Sequence, residues 1–154
     1  MTNRTLRTAL VAAALILVPA ASASAKTETL RFFSKTEKLT LIKADGTEVQ
    51  PGPGVEPAAG DRLEIFASDF VGDHRKHAKK ATGSEHVVCT FSASPEPDCV
   101  SHVAIGGSLL IFRGFPGTLL GGAGKYLNAT GTVISNETVG DSNDSDVVAK
   151  IKVR

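Results

Sequence analysis

The chain has 154 residues, 17 basic against 16 acidic side chains, and 42% hydrophobic residues. So even a balance of charge provides no basic field to draw in nucleic acid or an anionic membrane surface. With no Trp and a single Tyr, the composition also argues against an aromatic platform for sugars or bases.

The N-terminus reads as a leader. Arg4 and Arg7 stand without an acid, Ala9 to Val18 are ten unbroken apolar residues, and Pro19 and a small-residue tract follow. This is a positive region, a short hydrophobic region and an A-x-A cleavage signal, Ala23-Ser24-Ala25. The expected cut follows Ala25, with a cut after Ala23 as the alternative. As a helix the apolar run rises only about 15 Å, half of the roughly 30 Å hydrocarbon core, so it is read as a signal peptide and not an anchor. No later segment is apolar enough to span a membrane as a helix. Residues 26–154 are expected to form one secreted, extracellular domain, with 15 basic and 16 acidic residues left after the cut.

From Lys26 onward, period-two patterns dominate. Lys26 to Ile42 predicts one long strand, Ala44 to Thr47 a turn, and Pro51-Gly52-Pro53-Gly54 a rigid loop. Arg62 to Val71 predicts a strand with Leu63, Ile65 and Ala67 on one face and Glu64, Phe66 and Ser68 on the other. Gly72 to Gly83 is a charged loop. Glu85 to Ala93 predicts a strand with Val87, Cys89 and Phe91 sharing a face. Val100 to Ile105, Ser108 to Phe115, Thr132 to Val139 and Val147 to Arg154 complete the predicted strands, with Gly106-Gly107 read as a bend or bulge. In the last strand Val147, Ala149, Ile151 and Val153 alternate with polar or outward residues. Seven or eight strands separated by turns in a domain of this size favour antiparallel closure into a barrel or sandwich.

Cys89 and Cys99 flank a segment containing Ser94-Pro95-Glu96-Pro97-Asp98, which is turn chemistry. In an exported chain this predicts a disulfide between facing strands of one hairpin; a free reactive thiol is the alternative.

The segment Gly121-Gly122-Ala123-Gly124-Lys125-Tyr126, with Ala129 and Gly131 behind it, resembles the GGxGxYxxAxG signature of the dirigent and allene oxide cyclase families. Gly60-Asp61, Phe70 and Gly72-Asp73 resemble the cyclase side of that group. The likeness covers roughly residues 52–133. It implies an all-β fold, an eight-stranded antiparallel up-and-down barrel, often assembled as a dimer or trimer. Cyclase members isomerise a lipid-derived epoxide in an apolar pocket, using a glutamate from the first strand and polar groups that hold a water; a cysteine lies in that pocket, near the position of Cys89 here. Dirigent members bind phenoxy radicals and steer their coupling. The motif glycines themselves read as structural, allowing close backbone approach at a barrel corner where Tyr126 packs with its hydroxyl bonded to backbone.

Other constellations are weaker. Gly121 to Lys125 lacks the first glycine and the Ser or Thr of a phosphate loop, and no Gly-x-Ser-x-Gly elbow exists. Asp73-His74-x-x-His77, with His86 beyond, sits among Arg75, Lys76, Lys79 and Lys80, which oppose a cation, so no metal site is assigned. Asn128-Ala129-Thr130, Asn136-Glu137-Thr138 and Asn143-Asp144-Ser145 have the form of glycosylation acceptors.

The candidates for a pocket are therefore Glu37 as a base or electrostatic stabiliser, Asp69 as an acid, and Arg113, Phe112 and Phe91 as ligand contacts. The expected function is binding or orienting an apolar small molecule without covalent chemistry. An allene oxide cyclase-type isomerase, needing neither metal nor organic cofactor, and a structural protein with a filled barrel are the alternatives. Whether the barrel catalyses is left open by the residues.

Overall fold

The computed structural model describes residues 25–114 and 116–153. The expected leader and the dipeptide Ala23-Ser24 of its cleavage signal therefore lie outside the described residues, as do Phe115 and Arg154. The strands are β1 (Lys26–Ile42), β2 (Glu48–Val49), β3 (Arg62–Asp73), β4 (Lys76–His77), β5 (Gly83–Thr90), β6 (Asp98–Ile105), β7 (Ser108–Arg113), β8 (Thr118–Ala123), β9 (Thr130–Thr138) and β10 (Ser145–Val153). One short 3₁₀ turn spans Gly124–Tyr126.

β1 explains how the sheet closes. Its 17 residues extend about 55 Å at the usual rise per residue, too long for one neighbour. The first half, Lys26 to Ser34, pairs with β10, and the second, Phe32 to Ile42, pairs with β3. Going round from β1, the order is β10, β9, β8, β7, β6, β5, β3 and back to β1, every pairing antiparallel. This is the closed eight-stranded barrel that the sequence resemblance implied. β2 and β4 are two-residue attachments to β1 and β3.

Three bulges curve the wall. In β1 the register shifts between Thr36 and Lys38, leaving Glu37 unpaired. β7 skips Leu120 opposite the Ile111–Phe112 step, and β10 skips Ile134 opposite the Val148–Ala149 step. Bulges of this kind bend and twist a strand, which barrel closure requires. Gly106-Gly107, expected as a bend or bulge, is instead a two-residue hairpin turn. Ile105 pairs with Ser108, and both glycines have positive φ, 52° and 75°. A turn of this twist matches the flanking strands and demands φ > 0 at both positions.

The packed part of the interior gathers Val103, Leu110, Leu119, Ala149 and Ile151 with Tyr126 and Ala129. The motif residues sit where β8 and β9 separate. That seam carries one registered pair, Thr118 with Thr132, and a bond from Val133 N to Gly117 O of 2.7 Å. The 3₁₀ turn fills it, burying Tyr126. Gly121 and Gly122 lie in β8, and Gly124 opens the turn with φ of 63°. Gly131 shows why the motif excludes side chains: a Cβ there would stand 2.3 Å from the Lys150 carbonyl oxygen. The expected bond from the Tyr126 hydroxyl to backbone is not found among the described residues; its ring instead lies 5.3 Å from the Lys125 ammonium.

Candidate functional site

The barrel is not packed solid. It encloses a cavity of about 190 Å³. Apolar walls come from Leu30 and Phe32 of β1, Ile65 and Ala67 of β3, Val87 of β5, Leu110 and Phe112 of β7, and Val147 of β10. All follow from strand alternation, which sends every second side chain inward.

Into this lining the same alternation places two carboxylates, Asp69 from β3 and Glu85 from β5. Asp69 pairs with Gly83, and Glu85 is two residues further along β5. The two are therefore diagonal neighbours on one face, at a spacing of about 7–8 Å between such positions. Ser34 faces Asp69 across the β1–β3 pair. Its hydroxyl donates to Glu85 Oε2 at 3.2 Å, and the Ser101 hydroxyl donates to Glu85 Oε1. Glu85 thus has a partner on each oxygen. Asp69 does not: it is only 2% exposed, and its Oδ2 has no hydrogen-bond partner. Burial, and then the charge of Glu85, push the Asp69 carboxyl up to about 7, against a smaller opposing effect of Ser34.

Asp69 accordingly occupies the inward position expected of a pocket acid. Glu37 does not. Reading β1 with one alternation phase puts Glu37 on the face of Leu39 and Leu41, but the bulge at Glu37 resets the phase. Leu30, Phe32, Ser34 and Thr36 line the cavity, and Glu37 is exposed. Phe112 lines the cavity; Arg113, its neighbour in the strand, must point the other way. The Arg113 guanidinium grips Asp98 on the outer surface through bonds of 2.9 and 2.6 Å. That bidentate contact holds the Asp98 carboxyl below its ordinary value. Phe91 lies past the end of β5, half-buried, and its backbone exchanges bonds of 3.0 and 2.9 Å with Asp61 and Gly60. It is not among the lining residues.

Cys89 and Cys99 are disulfide-bonded across the β5–β6 pair, with an S–S distance of 2.02 Å, and line the cavity. No free cysteine exists among the described residues. His74 lies against Asp146, with Nδ1 to Oδ2 at 2.5 Å, and Asp73 caps the backbone of Arg75 and Lys76. Among the described residues no group of three metal-capable side chains converges.

Glu85, Ser34 and Ser101 were not singled out by sequence. One signal for Glu85 was present: it is in phase with Val87 and Cys89, so that strand had a carboxylate on its apolar face. The two serines carried no such signal, since their value lies in reaching Glu85 from two other strands.

No protein-family model matches the chain, and no curated protein matches it in sequence. Solved structures do share its fold. A pyocyanin demethylase superposes with a TM-score of 0.55 at 17% identity, covering 82% of this chain and 100% of its own. The pterocarpan synthase dirigent protein GePTS1 gives a TM-score of 0.55 at 18% identity, covering 84% of each chain. The fold is therefore that of the dirigent-type barrel.

Proposed function

We propose that this protein is an exported dirigent-like barrel that takes an apolar small molecule into its interior and orients it there without covalent chemistry. The observation that carries this reading is the hollow, largely apolar interior with a polar cluster on one wall. An aliphatic cavity of roughly 150 Å³ is enough to hold benzene. A volume of about 190 Å³ therefore suits a one-ring compound or one end of a longer ligand. Apolar walls supply the affinity, and a few convergent polar groups fix the orientation. Export is supported by the leader pattern and by the disulfide. The shared fold with a dirigent protein and a pyocyanin demethylase supports a role in handling small molecules, and dimers or trimers are the expected assemblies.

One observation favours a second reading, an isomerase. Asp69 is buried, its Oδ2 has no partner, and it holds its proton up to about pH 7. Such a group can deliver or withdraw a proton inside an apolar site. On this reading Asp69 takes the acid-base role, and Glu85 supplies negative charge for a developing cation.

Native mass spectrometry of the mature protein from a secreting host tests the binding reading. A bound apolar mass, lost on unfolding, is expected, and the same spectrum reports the oligomer. A clean apo mass that persists after incubation with fatty acids, phenolics and arylalkylamines would overturn it. Turnover of any captured ligand by the wild type but not by Asp69→Asn would move the protein to the isomerase class.

A further inference from the structure

The charge of the cavity is one-sided. Its two ionisable lining groups are Asp69 and Glu85, and no Lys, Arg or His among the described residues reaches the lining. This is unlike several carboxylates elsewhere in the molecule, which meet a cation: Asp61 with Lys43, Asp98 with Arg113, Glu28 with Lys125. Neutral donors are present but partly committed. The hydroxyls of Ser34 and Ser101 serve Glu85, leaving Asp69 Oδ2 buried and without a donor. A buried carboxylate without a partner is costly, and the cost is relieved by a donor or a positive charge arriving from outside the chain. Above about pH 7, where Asp69 as well as Glu85 is ionised, an anionic ligand would bring a third negative charge into the same low-dielectric space.

The apolar part of the wall sets the rest of the ligand. Phe32 and Phe112 offer ring surface on β1 and β7, within the same enclosure as the carboxylates. Aromatic faces tolerate and attract cations, so the walls do not oppose a charged ring substituent.

Resting on the binding reading above, we infer that the cavity selects a small organic cation: a one-ring ligand whose ammonium or amidinium group donates to Asp69 and Glu85 while its apolar body packs against Phe32 and Phe112. The chemistry required is a positive nitrogen with at least one N–H. Two carboxylates can share it, because Glu85 keeps its serine bonds while Asp69 Oδ2 gains the donor it lacks. Charge-assisted bonds of this kind are about twice as strong as neutral ones.

Three nearly isosteric probes test it by calorimetric titration of the mature protein at pH 8: phenethylammonium, 2-phenylethanol and phenylacetate. The ammonium is expected to bind at least about tenfold more tightly than the alcohol, as one charge-assisted bond implies, and phenylacetate most weakly. Asp69→Asn and Glu85→Gln, each shown by a cooperative melt to be folded, should each weaken the ammonium by about tenfold and leave the alcohol within about threefold. Equal binding of alcohol and ammonium, or undiminished ammonium binding in both variants, overturns the inference and leaves the cavity reading standing. If none of the three binds, this inference fails, and the native mass spectrum decides separately whether the cavity reading fails with it.

Discussion

Asp61 and Asp69 are eight positions apart, and both are 2% exposed. Their surroundings are opposite. Asp61, just before β3, receives the Lys43 ammonium, the backbone N–H of Ala44 at 3.0 Å and that of Ala58 at 2.8 Å. The Lys43 bond, followed by the Ala58 N–H, holds its carboxyl below the ordinary value. Asp69, inside the barrel, has an orphan oxygen and a second carboxylate nearby, and it is pushed the other way. The difference teaches that burial alone says little about a carboxylate's task. The first is a fastener between the β1–β2 turn and the start of β3. The second keeps its bonding capacity for something that is not part of the chain.

The comparison can be broken first at Asp61. Replacing it with Asn leaves the Lys43 ammonium uncompensated, and we expect the largest fall in melting temperature of any substitution named here. Because the folded Asp61 is more acidic than the unfolded one, its contribution is present above about pH 4 and is lost as pH falls through its lowered folded value. The gap between wild type and Asp61→Asn in thermal melts should therefore narrow in acid. A constant gap would deny Asp61 its role as an ionised fastener.

Asp69→Asn should do the reverse. The folded value of about 7 lies above the ordinary 3.8, so the folded state holds a proton that the unfolded state has released. Stability falls as pH rises from about 4 to 7 and then levels off. At pH 8 the variant, which cannot ionise, should be the more stable protein, by at most on the order of 4 kcal/mol. The two should converge near pH 4. Melting curves across this range decide the matter, and a variant less stable than wild type at pH 8 would mean that Asp69 has an internal partner. The groups facing Asp69 are Glu85 of β5 and Ser34 of β1, so no opposing cation is at hand to reverse the sign among the described residues.

Smaller effects sharpen the picture. Ser34→Ala and Ser101→Ala each remove one bond to Glu85 and should cost about 1 kcal/mol in denaturant unfolding. Both lost together should cost more than the sum, since Glu85 would then be as poorly served as Asp69. Glu37→Gln and Arg113→Ala, on the outer surface, should leave probe binding and melting temperature unchanged. Lost binding in either variant would place a surface group in the site.

Most strands were legible because alternation of apolar residues is a local property. Lys26 to Ile42 was bounded to the residue, and Ile65, Ala67, Val87 and Cys89 were put on the right faces. β8 was hidden, because Gly121 and Gly122 have no side chains with which to alternate. Glu37 was misplaced because it was taken from the family likeness as the first-strand glutamate, whereas here it sits at a bulge and is exposed, and Arg113 because it was grouped with Phe112 despite strand geometry that sends neighbours to opposite faces.

By itself, the sequence determined the antiparallel strands, the cysteine pair that faces across one hairpin, and the close-packed glycine corner at Gly131. Each depends on residues near in the chain or on a motif read directly. Only the tertiary structure decided that the barrel is hollow and that one oxygen of Asp69 is left without a partner while the Asp61 carboxylate has three. The same holds for Ser34 and Ser101, which come from β1 and β6 to meet Glu85 of β5. Those outcomes depend on which strands become neighbours when β1 closes the sheet on itself, and closure sums the register of every pair around the barrel. No single stretch of residues carries that sum.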